Sequence, residues 1–206
     1  NLVSSTRITC SHDLAGKAVS PWNVVVTNVD AQSGALANGF TIPAGLAPII
    51  DWVAIGPTMV AAGDAVHVAV DATDNVGVTS VTANGTPLTY AGWSIWFGSI
   101  VADSTLGEHT VTVVAYDSAN NAATDSSQSY KTARVVGVNN NALANHVTPA
   151  MARGYLYVAW GRVTRIDAET FDLDDGSGSP IRVFASGHGL RTDDYARARG
   201  IWKTGV

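Results

Sequence analysis

The chain has 206 residues, enough for one large domain or two to three small ones, with 46% hydrophobic residues, 14% charged residues and a net charge of −5. That much apolar material excludes an intrinsically disordered chain, and no apolar run approaches the roughly 18 residues a membrane helix needs. Lys and Glu are scarce while Thr, Val, Ala, Ser and Asn dominate, which disfavours long amphipathic helices.

Turn signals recur roughly every 8–12 residues, the spacing of small antiparallel β domains. Charge is unevenly spread. Residues 1–130 hold two basic and ten acidic groups, a balance of −8, and residues 131–206 hold ten basic and seven acidic ones, a balance of +3. The change of sign predicts a domain boundary near residue 130 and an attraction between the two ends of neighbouring copies. Cys10 is the only cysteine, so no intramolecular disulfide forms, and it is expected to be a small buried hydrophobe. With Asn1 first and no signal peptide, the chain is expected to be a processed product or a piece of something longer.

Residues 1–44 contain Trp22-Asn-Val-Val-Val-Thr27, a predicted strand, then turn chemistry from Asn28 to Gly34, then a second short strand at Phe40-Thr-Ile42. This resembles the closing part of bacterial Ig-like domains of the IPT/TIG type, with the first half of such a domain missing. Two or three strands cannot bury both of their faces alone. The remaining strands are therefore expected from elsewhere, either upstream or from another chain.

Residues 45–130 open on a linker, Pro43-Ala-Gly-Leu-Ala-Pro48, and continue with Val66, Val68 and Val70 in alternation, which predicts one buried face. Asn84-Gly85 is a two-residue hairpin signal. Val111, Val113 and Ala115 alternate again before Tyr116-Asp117. With Asp74-Asn-Val-Gly-Val78 early and Val-Val-Ala-Tyr-Asp117 late, the segment resembles tandem Ig-like repeats of bacterial cell-surface proteins and secreted polysaccharidases. It departs from them at Asn120, where such repeats usually carry Gly before Asn121.

Residues 131–206 begin with a loop at Asn139–Pro149 that holds a short helical turn at most. Tyr155–Ile166 is a long strand with Gly161 as its bend, the segment Phe171–Phe184 is a hairpin around Asp175-Gly-Ser-Gly-Ser179, and Asp194–Ile201 is a returning strand. Trp160-Gly-Arg-Val-Thr and Phe171-Asp-Leu-Asp-Asp-Gly-Ser-Gly carry a resemblance to an OB-type five-stranded barrel. Asp172 and Asp174 are expected to face outward and pair with Arg182 across the hairpin.

Few residues invite chemistry. Asp71, Asp74 and Asn75 in one loop, with Asp117, Asn120 and Asn121 in another, supply the hard oxygens that calcium prefers. The competing account is that Asp and Asn stand in turns because they hydrogen-bond nearby backbone. Tyr195, Arg197 and Arg199 share one strand face with Ala196 and Ala198 opposite, the aromatic-and-guanidinium pattern that holds single-stranded nucleic acid. The acidic chain and the adjacent Asp193 and Asp194 argue instead for a solvated or intersubunit surface. Trp93 and Trp96 are candidates for a sugar-stacking pair or for core. His12, His67, His109, His146 and His188 are scattered. No nucleophile elbow, phosphate loop or set of spaced His/Cys ligands occurs.

The sequence thus predicts an all-β chain: the end of an Ig-like domain at 1–44, an Ig-like sandwich at 45–130 and an OB-like barrel at 131–206. The resemblances imply a non-catalytic structural module of a bacterial extracellular surface protein or filament, partnered by copies of itself and needing no cofactor unless calcium. The alternative they imply is a polysaccharide-binding accessory region of a secreted carbohydrate-active enzyme. A third reading is single-strand nucleic-acid binding through the barrel.

Overall fold

Period-two alternation of apolar and polar residues is realised as strand after strand in the computed structural model, which describes residues 2–4, 7–9, 11, 20–42, 45–152 and 154–203. Cys10 and His12 lie outside them. Strands β1 (Leu2–Ser4) and β2 (Arg7–Ile8) pair antiparallel. A hairpin follows, β3 (Pro21–Thr27) and β4 (Ser33–Thr41), closed by the Asn28 carboxamide, whose Oδ1 accepts from the backbone N–H of Asp30 and Gln32. The chain continues as β5 (Ile49–Gly56), β6 (Met59–Val60), β7 (Ala65–Thr73), β8 (Val78–Ala83), β9 (Thr86–Pro87), β10 (Thr89–Gly92) and β11 (Ile95–Val101). After these come β12 (Gly107–Asp117), β13 (Ala122–Thr132), β14 (Arg134–Gly137), α1 (Asn140–His146), α2 (Pro149–Ala152), β15 (Tyr155–Arg165), β16 (Thr170–Asp174), β17 (Ile181–Phe184) and β18 (Tyr195–Gly200). The fold is all-β, with helix confined to α1 and α2.

Besides the β1–β2 and β3–β4 pairs there are three larger sheets, ordered β10-β11-β7-β5, β6-β13-β12-β8-β9 and β14-β15-β16-β17, with β18 added to β15. The backbone divides into two compact units. The first comprises Asn1–Gly56, His67–Ile100 and Thr110–Ser129, and the second Pro57–Val66, Val101–His109 and Tyr130–Val206. The second is thus assembled from three stretches, where the charge pattern predicts a single boundary near 130.

In the first unit, alternate residues of β7 (Val68, Val70, Ala72), β8 (Val81, Ala83), β11 (Trp96, Ile100) and β12 (Val111, Val113, Ala115) are buried and form a sandwich core. The predicted Asn84-Gly85 turn has φ of 46° and 77°, the left-handed pair that a tight hairpin demands. Asn84 also exchanges hydrogen bonds with Thr112 of β12, its N–H donating to the carbonyl at 2.8 Å and its Oδ1 accepting from the amide at 2.8 Å.

In the second unit, β15 runs through the middle of its sheet. Leu143, Tyr157, Ala159, Val163, Phe171, Leu173 and Ile181 form the core beneath it. Within Asn139–Pro149, expected as a loop with a short helical turn, the chain forms α1, whose first turn is capped by Asn139 Oδ1 accepting from the Ala142 amide at 2.7 Å. Asn140 is fully buried and donates its side-chain N–H to the Leu173 carbonyl at 2.8 Å, tying α1 to β16. Gly161 does not break β15. A Cβ placed there would lie 2.5 Å from the Asp174 carbonyl carbon and oxygen, so the glycine serves a close approach of two backbones rather than a bend. The expected barrel is a curled sheet that remains open. β17 pairs with β16 alone and β18 with β15 alone, and each keeps one free edge among the described residues.

Candidate interaction site

The acidic loops are built for their own turns. Asp74 Oδ1 accepts from the amides of Val76 and Gly77 at 2.9 and 3.0 Å, and Asp71 Oδ1 accepts from the Ser94 hydroxyl at 2.5 Å. Asp117 is buried, and its two carboxylate oxygens accept from the amides of Ala119 and Asn121 and from the Asn121 side chain at 2.7–2.8 Å. Burial alone would push that carboxyl up, but these hydrogen bonds outweigh it and hold its pKa below the usual carboxylate value. Asn120 occupies the left-handed region at φ 62°, the geometry that Gly supplies elsewhere. Among the described residues no three His, Cys, Asp or Glu side chains gather around a point that could hold a metal ion.

The two tryptophans of the β10–β11 hairpin have opposite fates. Trp96 is 8% exposed and belongs to the core, which removes it from any stacking pair. Trp93 is 95% exposed at the hairpin tip. It and Ser94 are both left-handed, at φ 54° and 68°, which is costly for a bulky side chain. Trp96 and Ser94 line a shallow cleft of ≈ 430 Å³ with Thr73, Asp74 and Tyr90, whose ring lies 5.3 Å from that of Trp96. The buried Trp96 indole N–H has no hydrogen-bond partner there. On β7 and β11 His67 and Phe97 stack at 6.1 Å, a pairing that the sequence does not single out.

A wide concavity belongs to the second unit. It is ≈ 990 Å³ and lies along the open edges of the curled sheet, with lining residues from β17 (Arg182, Phe184) and from β18 and the residues after it (Arg197, Ile201, Trp202, Lys203). Buried core residues Tyr157, Phe171 and Ile181 form part of its wall. The charged side chains of the lining are Arg182, Arg197, Arg199 and Lys203, and no carboxylate is among them. Arg182 is held across the hairpin by Asp172 at 2.8 and 3.2 Å, as its register predicts, and Arg199 reaches Asp64 at 2.7 Å. Asp174 does not share Arg182. It accepts from the Gly176 amide instead. Tyr195, Arg197 and Arg199 do share the outward face of β18, while Ala196 and Ala198 pack on the core. His188 is occupied with backbone, its Nδ1 accepting from the Leu190 amide at 3.0 Å and its ring tilted on Phe171 at 4.8 Å.

The β3–β4 hairpin has both faces open. Every residue of the two strands is exposed. Register pairs Val24 with Leu36, alternation sets Val26 on the same side as Val24, and beyond a register shift Trp22 pairs with Phe40, so apolar side chains run along the hairpin. A Cβ at Gly39 would lie 2.7 Å from Val24 Cγ2 and 3.3 Å from Leu36 Cδ2, which confirms that those side chains close over the same side. Leu36 is 63% and Phe40 38% exposed. Ile42, 1% exposed, anchors the base, its amide donating to the Ser20 carbonyl at 3.1 Å. The sequence shows the apolar face of this hairpin. It does not show the groove, whose lining comes from Leu143 to Lys203 and converges only on folding.

No protein-family profile matches the chain, and no curated protein is similar to it in sequence. Among solved structures, dimeric latent PorU from Porphyromonas gingivalis resembles it at 12% identity and a TM-score of 0.32, over 87% of this chain and 20% of that one. The chain therefore spans about a fifth of that protein's length, and a likeness at this level carries no argument about fold or function.

Proposed function

We propose that this chain is a non-catalytic structural module of an extracellular or cell-surface protein and that it acts by associating with copies of itself. The carrying observation is the β3–β4 hairpin, whose apolar side chains Val24, Val26, Leu36 and Phe40 are left open to solvent. Contiguous exposed apolar surface marks an interaction site, and unpaired strand edges are templates for pairing. The resemblance to bacterial Ig-like modules and the opposite charge of the two ends of the chain support the same reading. Sedimentation velocity of the 206-residue chain over a concentration series, with electron microscopy of the concentrated sample, tests this. Mass that grows with concentration is expected, and a monomer throughout overturns it.

A second reading, polysaccharide binding, is favoured by Trp93, which gives the fold no burial yet occupies a strained turn beside a cleft with an unpartnered indole donor. Retention on insoluble polysaccharides that Trp93→Ala abolishes is the result expected of it. Equal retention of the variant rejects it.

A further inference from the structure

We infer that the apolar face of the β3–β4 hairpin of one copy seats in the open groove between β17 and β18 of a second copy. This rests on the self-association reading and names the surface that receives the hairpin.

Two of the uncovered apolar surfaces among the described residues, the hairpin face and the groove, differ in a way that suits each to the other. The hairpin, residues 20–41, carries no cation and a single carboxylate, Asp30. The groove lining carries four cations, of which Arg182 and Arg199 are already paired with Asp172 and Asp64 while Arg197 and Lys203 form no ion pair among the described residues, around an apolar floor that includes Phe184, Ile201 and Trp202. Groove against groove would bring those cations together, a like-charge contact that costs association. Hairpin against hairpin would leave the exposed Phe184 and Ile201 of the groove in water. Hairpin against groove covers both apolar surfaces and opposes no like charges.

Backbone geometry agrees. β17 and β18 each have a free edge, and so do β3 and β4, which pair only with one another among the described residues. Strands of 7 and 9 residues are long enough to run beside edges of 4 and 6. Adding a strand edge to an open sheet satisfies N–H and C=O groups that are otherwise left to solvent. By unit, the hairpin-bearing first unit is negative, with two basic and seven acidic groups, and the groove-bearing second unit is balanced, with ten of each, so net charge does not oppose the contact. In the inferred contact the hairpin and the groove of one copy engage different partners, so that the assembly grows head to tail rather than closing as a two-fold dimer.

Two variants of the full chain test this. Val26→Lys with Leu36→Lys spoils the hairpin, and Phe184→Asp with Ile201→Asp spoils the groove. All four positions are exposed, so both variants are expected to keep the parent's circular dichroism and thermal midpoint. By sedimentation velocity each variant alone is expected to remain monomeric where the parent grows without a fixed end point. An equimolar mixture is expected to stop at two copies, because only one intact hairpin and one intact groove remain per pair. A groove variant that still self-associates overturns the inference and points to hairpin pairing with itself. A mixture that stays monomeric overturns it too. A parent chain that is monomeric at every concentration removes the self-association reading itself, whereas a parent that assembles regardless of Phe184 and Ile201 removes only this pairing.

Discussion

At the scale of single residues, backbone conformation and carboxylate placement explain positions whose side chains alone would suggest chemistry. Trp93 and Ser94 sit in the left-handed region at the tip of β10–β11, where a β-hairpin prefers Asn-Gly. A left-handed L-residue costs roughly 1–2 kcal/mol, so Trp93→Asn with Ser94→Gly is expected to raise the thermal midpoint, by about 2–4 °C per kcal/mol gained in a chain of this size. Differential scanning calorimetry checks this, and a lower midpoint would show that the turn is held by something the isolated backbone does not reveal. Asp117 gives a pH prediction. Its folded pKa is depressed, so its contribution is present above the unfolded value of about 3.9 and is lost as pH falls through the lower folded value. Asp117→Asn is therefore expected to flatten the acid limb of stability below about pH 4, measured by urea midpoints from neutral to strongly acidic pH. The sequence made the acidic loops visible, because Asp and Asn announce turns. Which oxygens the turns use became visible only once Ala119 and Asn121 were seen donating to Asp117.

At the scale of elements, periodicity located the strands well wherever one face is buried. Val66, Val68 and Val70, and likewise Val111, Val113 and Ala115, alternate because only one side of their sheets meets the core. The helix α1 was harder to read, since Asn140-Asn-Ala-Leu-Ala-Asn-His146 has low helical propensity. It forms because Asn139 caps its first turn and the buried Asn140 is bonded to Leu173, both contacts that depend on tertiary structure or cap geometry. Gly161 carries the clearest consequence at this scale. Its missing Cβ lets β15 and the Asp174 backbone approach, and no flexible side chain stands there to move aside. Gly161→Ala is expected to cost at least the roughly 1–3 kcal/mol typical of overpacking and to loosen the β15–β16 pairing. Urea unfolding followed by Trp fluorescence, with amide exchange across Arg162–Arg165, checks it. A change below about 0.5 kcal/mol, the range of neutral surface substitutions, would show that the two backbones can part freely.

At the scale of the whole molecule, the organising fact is an imbalance between what the chain buries and what it leaves open. The sandwich core of the first unit is closed, with Val68, Val70, Val111 and Val113 at 0% exposure, while the β3–β4 hairpin and the β17–β18 groove are not. Ile42 and Leu36 stand on opposite sides of that imbalance within one hairpin. Ile42 is buried, so Ile42→Ala is expected to destabilise the chain by about 2–5 kcal/mol at any concentration. Leu36 is mostly exposed, so Leu36→Lys is expected to leave the dilute chain within about 0.5 kcal/mol of the parent. Association changes this difference in a predictable direction. A partner that binds only the folded chain stabilises it by mass action, so the parent's thermal midpoint should rise with protein concentration. In Leu36→Lys that rise should vanish, and in Ile42→Ala it should persist from a lower starting point, as long as the hairpin remains formed. Thermal melts of the three proteins over a wide concentration range separate these cases. A parent midpoint independent of concentration, at concentrations where sedimentation shows assembly, would mean that association does not depend on the folded hairpin face.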